Sequence, residues 1–104
     1  MIKVTLKKGD GSEKHKFRVI IHRKDGTTKR VSFGANGYSD YTKHKDEKRR
    51  DNYIARHRSN ENWKMNGIET AGFWSRWLLW EKPSLREAIK NMLKKGIKIT
   101  MSKS

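Results

Sequence analysis

Residues 67–93 read GIETAGFWSRWLLWEKPSLREAIKNML. Phe73, Trp74, Trp77 and Trp80 fall within eight residues of this stretch, while the whole chain is only 33% hydrophobic. A core has to be built from the large apolar side chains available, and most of them are here. At helical spacing over residues 73–80, Phe73, Trp77 and Trp80 share one face, and Trp74 and Leu78 widen it. Pro83 stops that helix, because the residue before a proline is pushed away from helical angles. Ser84-Leu85-Arg86-Glu87 is a capping-box pattern. After it, Leu85, Ala88, Ile89, Met92 and Leu93 recur at the spacing of one helical face. Gly96, following Lys94-Lys95, is a natural C-terminal stop. Ile97, Ile99 and Met101 then alternate as a fourth strand would.

The N-terminal third is a strand pattern. Ile2, Val4 and Leu6 alternate with Lys3 and Thr5, and Gly9-Asp10-Gly11-Ser12 reads as a turn. A second strand covers residues 16–23, with Phe17, Val19 and Ile21 on one side. Asp25-Gly26 signals a tight turn. A third strand, residues 27–33, has Val31 and Phe33 on one side with Lys29 beside them, and Arg30 and Ser32 on the other. These segments predict an antiparallel meander with one apolar and one cationic face. Gly34-Ala35-Asn36-Gly37 breaks the pattern and opens a loop. The expected architecture is a single α+β domain over residues 1–104. It has a small three- to four-stranded antiparallel sheet with two to three helices packed on one face.

Between sheet and aromatic stretch, residues 45–58 read KDEKRRDNYIARHR. Tyr53, Ile54 and His57 recur at helical spacing, which predicts a short helix with a narrow apolar stripe and a basic surface. Asp46 and Glu47 suit the positive end of its dipole.

The chain carries 26 Lys and Arg against 11 Asp and Glu, a net charge of +15, distributed over both halves. Such a field attracts acidic protein surfaces, DNA, RNA or anionic lipid. There is no cysteine, which excludes disulfides and thiolate metal sites and fits a reducing compartment. No apolar run approaches the ~18–20 residues of a membrane span, and the first residues lack a signal-peptide apolar region. The expectation is a soluble protein that is not secreted.

Nothing here assembles an active site. His15, His22, His44 and His57 lack the i, i+4 spacing of a helical metal pair. Asp40, Asp46, Glu47 and Asp51 are interleaved with cations, and ion pairing such as Asp46 with Arg50 accounts for them more simply than a nuclease metal. No phosphate-cradling glycine loop or nucleophile elbow is present. The expectation is a non-enzyme with no cofactor and no metal. Its polyanion-binding candidates are Lys45, Lys48, Arg49, Arg50, Arg56 and Arg58 on the basic helix, with Lys29 and Arg30 on the sheet; a merely solvated surface is the alternative. Trp63 and Trp74, off the main aromatic stripe, are candidate anchors for a protein partner.

Two segments, YSDYTKHKDEKRRDNYIARH at residues 38–57 and NWKMNGIETAGFWSRWLLWEKPSL at 62–85, carry a resemblance. It extends over about residues 17–97. The sequence resembles an uncharacterised family of short basic proteins encoded by large double-stranded DNA viruses of algae and protists. The most specific pieces are TAGFWSRWLLW at Thr70–Trp80 and YSDYT at Tyr38–Thr42. The resemblance implies a viral setting. The protein would then sit in the virion or in the cytoplasm or nucleus of the infected cell. A minor capsid or virion-internal role beside an acidic capsid protein is what it suggests, and sequence-nonspecific nucleic-acid binding is the second reading.

Overall fold

The computed structural model describes residues 1–9 and 14–102, so the expected turn at 10–12 lies outside the described residues. Strands β1 (Ile2–Lys8), β2 (His15–His22) and β3 (Thr28–Ala35) form the antiparallel meander. Strand β4 (Ile97–Met101) joins β1 in parallel, which gives the order β3-β2-β1-β4 and makes the sheet mixed. Parallel neighbours need a crossover. The helical half of the chain lies in that connection and covers one side of the sheet.

Register decides which side. Val4 lies opposite Ile21, Leu6 and Val31 opposite Val19, and Phe33 opposite Phe17. Side chains alternate along a strand, so these residues share a face. All but the half-buried Phe17 are buried, with Phe73, Trp74, Leu78, Leu79, Ala88, Met92 and Ile97 packed against them. At the β2–β3 turn, Gly26 takes φ +89°, and the Asp25 carboxylate accepts from the amide and hydroxyl of Thr27.

The expected break at Gly34 is absorbed into β3, which runs on to Ala35. Gly34 holds φ +74°, and a Cβ there would sit 2.8 Å from Leu79 Cδ1 in the core. Gly37 has φ +88° with open space around it. Gly37→Ala therefore meets backbone strain alone, about 1–2 kcal/mol. Gly34→Ala adds a displaced core leucine and should cost about 1–3 kcal/mol more. Urea denaturation of the two variants checks the difference.

The helix expected over 45–58 forms from residue 47 to residue 57, and a one-turn helix that the sequence did not lead us to expect precedes it. Asp40 caps α1 (Tyr41–His44), and Lys45 closes it in the left-handed region at φ 54°. Asp46 then caps α2 (Glu47–His57), accepting from the amides of Lys48 and Arg49. The Asp46 carboxylate is thus committed to backbone, and the expected pairing with Arg50 does not form.

The aromatic stretch also departs from the expected face. Thr70 caps α3 (Ala71–Trp74), which passes directly into a π-helical segment, Ser75–Leu79. A π turn is wider than an α turn, so residues four apart no longer superimpose. Phe73, Trp74, Leu78 and Leu79 are buried, while Trp77 and Trp80 are half-buried at the margin. Helix α4 (Leu85–Lys94) starts as expected: Ser84 Oγ accepts from the amide of Glu87 at 3.2 Å. It buries Ala88 and Met92 and ends before Gly96 at φ +88°.

Candidate polyanion-binding surfaces

The four strands contain no acidic residue. On the face turned away from the core, Lys3 pairs in register with Lys98, Lys7 with Arg18, and Ile20 with Arg30. Thr5, Ser32 and Thr100 lie among them, and none of these residues is buried. This is the cationic face expected from the meander, enlarged by β4. Arg30 belongs to it. Lys29, opposite Ile21, belongs to the core side, where it is exposed at the rim. The two sheet candidates therefore do not act on one surface.

The second basic surface is α2. Lys48, Arg49, Arg56 and Arg58 are exposed, and among the described residues none of them is in an ion pair. Lys45 is exposed beside this surface, at the α1–α2 junction and outside the helix. Arg50 is different. Its Nε donates to the Trp80 carbonyl at 3.0 Å, and Nη2 donates to Glu81 Oε1 at 2.7 Å. It also lies over the Tyr41 ring. Arg50 fastens α2 to the body and is not available as a surface cation.

No α2 residue is fully buried, so the helix needs such attachments. The other one is aromatic: Tyr53 stacks on Trp80 with centroids 4.2 Å apart and planes at 2°. His57 packs on Tyr53, and His44 packs on Trp80. Offset stacks of this kind contribute about 0.5–1.5 kcal/mol beyond their area. Burial pushes the Tyr53 phenol from 10.0 up to about 12. A raised folded-state value stabilises the fold fully below about pH 10, and that part is lost as pH rises towards 12. Tyr53→Phe should remove this alkaline dependence, as stability measured against pH will show.

The aromatic anchors separate. Trp74 is 0% exposed, and its Nε1 donates to the Ile68 carbonyl at 2.7 Å. It is a core residue and cannot dock a partner in the folded state. Trp63 is half-buried, with the Arg76 guanidinium 5.3 Å from its ring. Arg76 also lies 4.6 Å from the Trp77 ring.

Arg76 is the residue that sequence reasoning left out. It is 9% exposed inside FWSRWLLW and faces Glu81 at 3.0 Å. Burial lowers its pKa, and the carboxylate of Glu81 opposes that shift. A lone arginine in an apolar helical run, with a glutamate five residues on, was the available signal. The buried Lys16–Asp40 pair, at 2.6 Å, offered none because its members are distant in sequence. Asp40 and Asp46 are thus committed to caps and ion pairing, and among the described residues no three His, Cys, Asp or Glu come together as metal ligands would. No helix of the described residues is long and apolar enough to cross a membrane.

Fold and surfaces define a small basic α+β protein with cations on both of its layers. Residues 4–57 match a family of unknown function (DUF5754), and the chain belongs to that family. The match spans the meander and the basic helix and ends before the Thr70–Trp80 stretch. No curated protein and no solved structure matches the chain.

Proposed function

We propose that this is a non-enzymatic structural protein that holds acidic surfaces together, acting as a minor capsid or virion-internal component of a large DNA virus. The observation that carries the binding part is the placement of charge. One cationic surface is the open side of the sheet, and the other is α2, fastened through Arg50 to Trp80 and Glu81 of the helical half. A body with two cationic sides can attract two acidic partners at once, and complementary charge gives it encounter rate and orientation. The viral setting rests on the resemblance through YSDYT and TAGFWSRWLLW. Trp63, half-buried beside Arg76, remains an aromatic candidate for partner contact, whereas Trp74 does not.

Two measurements test this. Splitting particles of the encoding virus into shell and genome-containing core, with mass spectrometry of each, should find the chain enriched in the shell. Enrichment with the genome would favour the second reading, sequence-nonspecific binding of nucleic acid, which the acid-free sheet face supports. Absence from both fractions would remove the virion role. In solution, Lys3→Gln/Lys98→Gln and Lys48→Gln/Arg58→Gln should each weaken binding to an acidic polypeptide only in part. Each should strongly reduce the light scattering that reports bridging. If one double variant abolishes binding and the other changes nothing, there is a single surface and the bridging idea is wrong. Phosphate contacts would appear as log affinity falling with log salt at about 0.9 per contact on duplex DNA.

A further inference from the structure

A cleft of about 440 Å³ opens between α2, the end of β3 and the π segment. Arg49, Tyr53, Arg56 and His57 all line it. They stand at i, i+4, i+7 and i+8, so one face of α2 forms its wall. Asp40 is the single acid in the lining, and Lys16 neutralises it from 2.6 Å. Among the described residues Arg49 and Arg56 are in no ion pair, so two exposed guanidiniums line a concave site. Tyr38 lines the same cleft and is 73% exposed, more than any other aromatic among the described residues. Its ring adds nothing to the core cluster.

From this juxtaposition we infer that the cleft seats one nucleotide unit of a single-stranded nucleic acid. The phosphate lies between Arg49 and Arg56, and the base lies against the Tyr38 ring. Two planar guanidiniums match phosphate oxygens, and an exposed ring is a platform for a base whatever its identity. A duplex keeps its bases stacked inside and cannot use Tyr38. A phosphopeptide could use the arginines but has no base to stack. The inference rests on the α2 surface binding anions and adds the ligand that this surface takes.

The test uses the full chain and fluorescence anisotropy with a short labelled oligothymidylate, a duplex of the same length and a phosphoserine peptide. Tyr38→Ala leaves the charge unchanged and alters an exposed side chain outside the core cluster. It should weaken oligothymidylate binding roughly tenfold and leave the duplex unaffected. Arg49→Gln/Arg56→Gln should lower the single-strand salt slope by about 0.7, the value for the one phosphate contact they share. Lys3→Gln/Lys98→Gln, on the far face, should spare the Tyr38 effect. Unchanged oligothymidylate affinity in Tyr38→Ala would overturn the nucleotide seat while anion binding at α2 stands. Tighter binding of the phosphopeptide than of the oligothymidylate would overturn it too. If Arg49→Gln/Arg56→Gln weakens none of the three probes, the α2 surface itself is not an anion site.

Discussion

Trp74→Ala will destabilise the protein by about 3–5 kcal/mol, the range for removing a buried aromatic side chain. The ring is fully buried, edge-on to Phe73 at 5.1 Å and tilted against Phe33 of β3 at 6.5 Å. It joins the aromatic stretch to the sheet, so the cavity opens at the centre of the core. Domains of this size hold about 5–15 kcal/mol in all. Near the midpoint, each kcal/mol lowers Tm by about 4–8 °C. The variant should therefore unfold far below wild type in urea and on heating. Trp74→Phe keeps most of the ring but orphans the Ile68 carbonyl and should cost about 1–3 kcal/mol. Trp63→Ala is the contrast. Its ring is half-buried, and its indole N–H is buried without an acceptor among the described residues, which offsets part of what its burial gains. It should cost less than Trp74→Phe. Similar losses for Trp63→Ala and Trp74→Ala would mean that the two rings contribute equally to the core and that the burial difference misleads.

The contrast shows where the sequence could and could not be read. Alternation located the sheet: Val4, Leu6, Val19, Ile21, Val31 and Phe33 are the residues that period two assigns to a buried face, and they are buried. Capping chemistry located α4, because Ser84 and Glu87 signal its start independently of packing. The aromatic helix misled because its period is not fixed. A π segment from Ser75 to Leu79 rotates Trp77 and Trp80 outward and leaves Trp74 inside, and nothing in FWSRWLLW announces it. The start of the basic helix, two residues later than expected, and the short α1 before it went unread for a related reason. Lys45 adopts a left-handed conformation that asparagine or glycine would have advertised and lysine does not. Among the basic residues, composition gave the sign of each charge but not its engagement. Arg49 and Arg50 are neighbours in sequence, yet one is exposed without an ion-pair partner among the described residues and the other bonds Trp80 and Glu81. Only the fold separates a surface cation from a fastening.

That fastening converges on one carboxylate, and the second large effect is expected there. Glu81 Oε1 accepts from Arg50 Nη2 at 2.7 Å, and Oε2 lies 3.0 Å from Arg76 Nη1. The side chains of Glu81 and Arg76 are 16% and 11% exposed, so neither charge can recover full hydration. Glu81→Gln keeps the shape and one acceptor but leaves two guanidiniums facing a neutral amide. Breaking a buried pair from one side typically costs about 3–5 kcal/mol, because the partner charge stays behind uncompensated. Arg50, 24% exposed, can turn partly to water, which places the expected loss near 3 kcal/mol. The damage should also be local in kind. Losing the Arg50 clamp frees α2, and the near-ultraviolet circular dichroism from the Tyr53–Trp80 stack should weaken before the sheet melts. Arg76→Met in the Glu81→Gln background then removes the stranded charge and should restore a substantial part of the stability, since an apolar replacement of a buried ion is often neutral or better. If Glu81→Gln costs under about 1 kcal/mol, the pair is screened as surface pairs are. Glu81 would then not be the bond that holds the cationic helix to the core, and the Tyr53–Trp80 stack would be left as its principal attachment.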